Sequence, residues 1–235
     1  MSALGYCFLL WLTGVAAVPP AAPAAVDREM VSWAAARVPA HLPAERRLLL
    51  LHRALVDPGG LALEESERTG TAREAFAERR ANCVAFAHLY LGLARRLGLP
   101  VYFVLARGTE KEGLRRDLRV LEGHMAVGFG AGPHPLVVDA GGVYGEGWEA
   151  FERIADPVAE AIFFSNRGVE ALLEGAGQNA VFWLERATLQ APELAPLWRN
   201  LSVARRRSGD LRGAALAVAQ AQRLAAVHSP AYSQN

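Results

Sequence analysis

The stretch Arg73 to Pro100, REAFAERRANCVAFAHLYLGLARRLGLP, constrains this chain more than any other. Asn82-Cys83 stands at its centre. Before the pair the residues are polar and arginine-rich. After it come Val84, Phe86, Ala87, Leu89, Tyr90, Leu91, Leu93, Ala94 and Leu97, too apolar for a surface helix and long enough for a buried one. Asn82 is a good N-cap, because its side-chain oxygen can accept from the free N–H groups of the first turn. Gly98 and Pro100 end the helix. A thiol is therefore expected in the first turn of a buried helix, where unpaired N–H groups and the helix dipole favour the nucleophilic thiolate. The alternative is an inert buried cysteine packing as a small hydrophobe. What separates the two is whether the chain also supplies a base and a group to orient it.

The second cysteine, Cys7, lies in the apolar run Ala3 to Val18, ALGYCFLLWLTGVAAV. That run has the length of a signal-peptide core and is short for a membrane span. Ala22-Pro23-Ala24 fits a small-residue cleavage pattern, and Pro19 to Ala25 is a Pro/Ala-rich spacer. Residues 1–24 are read as a signal peptide or an uncleaved membrane anchor, which implies a periplasmic or cell-envelope location. A mature chain would then keep one cysteine and no internal disulfide. The net charge of +1 argues against nucleic-acid binding. The 52% hydrophobic content over 235 residues suits one large domain or two small ones.

Along the chain, Asp27 to Val56 reads as helix in two pieces, broken at Pro39 and Pro43. Leu61 to Gly70 reads as loop, and Thr71 to Arg79 as a short helix capped by Thr71. Val101 to Ala106 is a strand run. Arg107 to Asp117 is a charged excursion. Leu118 to Phe129 reads as a second strand with a bulge at Gly123, and Pro135 to Ala140 as a third. Helices followed by consecutive strands predict an α+β domain, its antiparallel sheet packed on the Cys83 helix.

After Val143 the pattern is helical, and a repeat appears at an interval of 34 residues. Phe164 pairs with Trp198, Gly168 with Ser202, Gly175 with Gly209, Ala180 with Ala214 and Ala187 with Ala221. This interval and its aromatic–small–Gly–Ala pattern resemble tetratricopeptide repeats. Two such repeats over residues 158–228 imply an all-α helical-hairpin region that docks a protein partner. Arg205 and Ala226 depart from the pattern in the second repeat.

Of the six histidines, His41 and His52 fall in the N-terminal helices and His228 in the tail. His134 sits in a Gly-Pro-His-Pro turn. His88 shares the Cys83 helix but points about 140° away from the thiol. His124 is expected mid-strand among apolar neighbours, where an imidazole needs a partner. The next strand supplies Asp139, in a setting where an unpaired carboxylate is costly. A short turn joins the strands, so the two are cross-strand neighbours. Other motifs are poor. There is no CxxC, no HExxH and no Walker loop, and Gly128 to Gly132 opens no helix. Arg205-Arg206-Arg207 reads as a solvated helix end.

Cysteine at a helix start, histidine on a later strand and aspartate on the next resemble the transglutaminase-like superfamily, relatives of papain-like cysteine proteases. The stretch from Thr71 to Val104 is similar to bacterial members that precede tetratricopeptide repeats. The resemblance covers roughly residues 27–150, within a domain read as 27–155, and departs at Ala81, where a glycine is usual. It implies Cys83 as nucleophile, His124 as general base and then acid, and Asp139 as orienter. It also implies the Cys83 backbone N–H as one oxyanion donor, with Asn82 or Tyr102 as candidates for the second. No cofactor or metal is implied. The expected function is acyl transfer on peptide or glutamine-type amide bonds, hydrolytic rather than crosslinking. The alternative is an inactive scaffold that binds partners through the repeats.

Overall fold

The computed structural model describes residues 22–106, 111–115, 118–122, 124–130, 135–145 and 151–228. The apolar run with Cys7, and also Gly123 and His134, lie outside the described residues. Helices α1 (Arg28–Ala35), α2 (Ala44–Val56) and α3 (Ala72–Glu78) precede α4 (Cys83–Arg96). Two short strands, β1 (Glu64–Glu65) and β2 (Arg80–Ala81), pair in parallel just before α4.

Helix α4 is the axis of the domain. Every residue from Val84 to Ala94 is buried. Each of its large apolar side chains contributes about 1.5–3 kcal/mol by leaving water. Helix α2 packs Leu48, Leu51 and Leu55 into the same core, and Tyr90 Oη donates to Leu48 O across that contact at 2.8 Å. Gly92 lets the N-terminal segment cross the helix closely: a Cβ there would stand 2.3 Å from Ala24 O.

The other side of α4 meets a five-stranded antiparallel sheet. Its strands are β3 (Val101–Ala106), β6 (Met125–Phe129), β7 (Leu136–Asp139), β8 (Gly142–Tyr144) and β9 (Phe151–Arg153), in the order β8-β7-β6-β3-β9. Val101, Phe103, Met125, Val127 and Val138 join the core with α4, while Tyr102, Val104, Ala126, Val137 and Phe151 form a cluster on the opposite face. That is the two-residue alternation of a strand.

Four expectations change. Leu118 to Phe129 is not one bulged strand: β5 (Leu118–Glu122) pairs with β4 (Lys111–Arg115) in a separate hairpin, and only β6 enters the main sheet. The charged excursion thus contains a strand. The charged residues Lys111, Glu112 and Arg115 within that strand hid its extended pattern. The loop Leu61 to Gly70 contains β1, and β8 and β9 extend the sheet beyond Val143.

Four helices follow: α5 (Asp156–Leu173), α6 (Gly177–Gln190), α7 (Ala195–Arg207) and α8 (Leu211–His228). Gly175 and Gly209, one repeat interval apart, both end a helix at positive φ, +79° and +89°. Glycine reaches that conformation without the Cβ penalty. Gly168 brings α5 against α6, since a Cβ there would stand 2.5 Å from Leu184 Cγ. Phe163 and Phe164 of α5 lie in the α4 core itself. Val169, Leu172, Leu184, Leu201 and Ala217 form a second cluster among the four helices.

Candidate active site

Asn82 has extended backbone and caps α4, its Oδ1 accepting from Ala85 N–H at 2.9 Å. Cys83 is thereby the first helical residue. Its N–H and that of Val84 are among the four with no intrahelical acceptor. The thiol is half-buried and belongs to no disulfide.

Three donors converge on Cys83 Sγ. Burial pushes the thiol up. The hydrogen bond with His124, the Met125 backbone N–H, the charge of His124 and the Val84 backbone N–H together outweigh burial and hold it below its ordinary value of 9.0. His124 stands immediately before β6 rather than mid-strand. Its backbone still belongs to the sheet, because Ala106 N–H donates to His124 O at 2.9 Å. This correction matters for the site. At the strand end the imidazole reaches the helix start, and its side chain keeps 42% of its exposure.

Asp139 ends β7. His124 Nε2–H donates to Asp139 Oδ2 at 2.7 Å, which leaves Nδ1 for the thiol. Oδ1 accepts from Gly141 N–H at 2.8 Å and Gly142 N–H at 3.1 Å. Burial pushes the carboxyl up, and His124 with these two N–H groups brings it below the ordinary 3.8. The Asp139 carboxylate, then Cys83, push His124 up to about 10 against its partial burial. The thiol is lowered and the imidazole raised, and both shifts favour a thiolate beside an imidazolium. That is a nucleophile ready for attack beside an acid ready for a leaving group.

Cys83, His124 and Asp139 are brought together, whereas neither proposed oxyanion side chain is available. The Asn82 amide is engaged at both ends, by Ala85 N–H and by Thr69 Oγ1, the latter at 2.8 Å from Nδ2. Tyr102 lies on the sheet face away from α4, and its Oη donates to Gly130 O at 2.8 Å. Strand parity decides this: Val101 and Phe103 face α4, so Tyr102 cannot. The Cys83 N–H at the α4 start is the donor at hand for a developing oxyanion, since the Val84 N–H faces the thiol and the Ala85 N–H is capped by Asn82.

Sequence reasoning missed the Met125 N–H and Tyr144. The Tyr144 hydroxyl hydrogen-bonds to Asp139 and stands close to Gly141, where a Cβ would lie 2.8 Å from Oη. Asp139-Ala140-Gly141-Gly142 was legible as an Asx turn, the signal that the carboxylate is held by its own backbone. The other histidine on α4 is excluded as a base. His88 is fully buried, with Nδ1 2.8 Å from Val84 O, and burial pushes it down to about 4.

Residues 49–151 match the family model described as the transglutaminase-like superfamily, so the chain carries a transglutaminase-like domain there. No curated protein and no solved structure matches the chain.

Proposed function

We propose that the transglutaminase-like domain over residues 49–151 is a cysteine-dependent acyl-transfer enzyme acting on peptide or glutamine-type amide bonds. The observation that carries this reading is one cluster: Cys83 at the α4 start, His124 on its thiol and Asp139 behind the imidazole. In this reading the thiolate attacks the amide carbonyl and the oxyanion forms against the backbone N–H of Cys83. As the C–N bond breaks, the imidazolium gives its proton to the leaving amine. Water, deprotonated by His124, then cleaves the acyl-enzyme. Hydrolysis is favoured over crosslinking because the sequence shows no site for an acceptor amine.

Helices α5 to α8 are read as two tetratricopeptide repeats over residues 158–228 that dock a protein partner or substrate. The 34-residue interval supports this reading, as do the exposed Leu189, Leu211 and Leu216, at 80%, 69% and 62%. The same surface supports the alternative of an inactive scaffold. The N-terminal apolar segment is read as an export signal or anchor that delivers the domain to the periplasm or cell envelope.

The test is the rate of Cys83 alkylation by iodoacetamide against pH, resolved by peptide mass spectrometry to exclude Cys7. Fast labelling well below pH 8, lost in His124→Ala, supports the enzyme and justifies assays on amide substrates. An ordinary thiol profile in both proteins leaves the scaffold.

A further inference from the structure

We propose that Glu170, on helix α5, is a positioning residue for Cys83; this rests on the reading of Cys83 as nucleophile. A continuous chain of hydrogen bonds joins the two. The Glu170 carboxylate accepts from the Thr69 backbone N–H at 2.8 Å and from the Thr69 hydroxyl. The Thr69 oxygen accepts from Asn82 Nδ2 at 2.8 Å. Asn82 Oδ1 accepts from Ala85 N–H at 2.9 Å, within the turn that Cys83 begins.

Each link has one permitted direction. A backbone N–H only donates, so Asn82 must turn its oxygen to Ala85 and its NH2 to Thr69. The Thr69 hydroxyl has one proton, and facing an NH2 it must direct that proton elsewhere. Glu170 supplies the acceptor. Without it the hydroxyl can rotate towards Asn82, which favours the flipped amide and sets an NH2 against the Ala85 N–H. Thr69 is 1% exposed, so water is a poor replacement. Arg167 braces the junction, donating to Thr69 O at 3.3 Å and standing 3.8 Å from Glu170. Burial pushes the Glu170 carboxyl up, and both Thr69 donors and Arg167 oppose it. The C-terminal helices therefore complete the turn that carries the nucleophile.

The test uses the full chain with Glu170→Ala, Thr69→Val (the same shape without the hydroxyl) and Thr69→Ser (hydroxyl retained). Two quantities are read: amide hydrogen exchange over Asn82 to Phe86, and the pH profile of Cys83 alkylation. Glu170→Ala and Thr69→Val are expected to speed first-turn exchange about fivefold, the size of a lost N-cap. They are expected to slow labelling at pH 6 about tenfold, one pKa unit. Thr69→Ser keeps both at the unsubstituted values. Unchanged exchange in folded Glu170→Ala overturns the proposal, as does an equal loss in Thr69→Ser or a rise spread evenly over α2 and α4. If Glu170→Ala does not fold, the Thr69 pair decides alone. If the unsubstituted Cys83 labels as an ordinary thiol, the nucleophile reading fails, while exchange at Ala85 still decides whether Glu170 governs the turn.

Discussion

Asp139 Oδ2 stands 2.7 Å behind His124 Nε2, on the opposite side of the imidazole from the Cys83 thiol. The carboxylate therefore does two things at once. It selects the tautomer with Nδ1 towards sulfur, and it stabilises the imidazolium. Asp139→Asn keeps the shape and loses the charge. Its turnover on an amide substrate is expected to fall by about 10²–10⁴, and the alkaline limb of its pH profile to move below that of the unsubstituted protein.

That alkaline limb is itself a prediction. His124 is raised from 6.5 to about 10. A group raised in the folded state stabilises the fold fully below its unfolded value and loses that contribution as pH rises through the folded one. Turnover on an amide substrate is expected to hold from neutral pH until His124 deprotonates near pH 10, and both turnover and Cys83 alkylation to fall on the acid side as the thiolate is protonated. Turnover from pH 4 to about 11 checks both limbs, and alkylation rates check the acid one. An imidazole titrating near 6.5 by NMR would contradict the pairing.

Two caps offer a matched comparison. Thr71 caps α3 through a capping box with Glu74, and Asn82 caps α4. Thr71→Ala and Asn82→Ala are each expected to cost about 0.5–2 kcal/mol in urea unfolding. Only Asn82→Ala is expected to raise the Cys83 thiol, because only its turn carries sulfur.

Tyr102→Phe removes the hydrogen bond to Gly130 O. A stability loss of about 0.5–1.5 kcal/mol is expected. Labelling and turnover should match the unsubstituted protein, since the phenol lies across the sheet from α4. A drop in turnover greater than about tenfold would return Tyr102 to the oxyanion role.

Gly168→Ala sets a methyl group 2.5 Å from Leu184 Cγ at the α5–α6 contact. Overpacking there is expected to cost about 1–3 kcal/mol by thermal or urea unfolding. A neutral result would mean that the helices separate without penalty and that glycine at the repeat position is not a packing requirement.

The sequence by itself determined the local features. Asn82 as cap, Thr71 as cap, the burial of α4 and glycine at the helix ends are all consequences of neighbours within a turn, and they stood in the order of residues. It also brought Cys83, His124 and Asp139 forward, because an imidazole and a carboxylate among apolar residues need partners. Tertiary structure decided what depends on distant chain. It moved His124 from mid-strand to a strand end, turned Tyr102 to the far face by parity, and engaged the Asn82 amide with Thr69, itself held by Glu170 from α5. Strand β4 and its pairing with β5 were hidden for the same reason, although Leu118 to Glu122 was legible as strand. Strand pairing is chosen by which segments meet after the core has formed, and a partner as charged as Lys111–Arg115 carries no hydrophobic pattern to announce it.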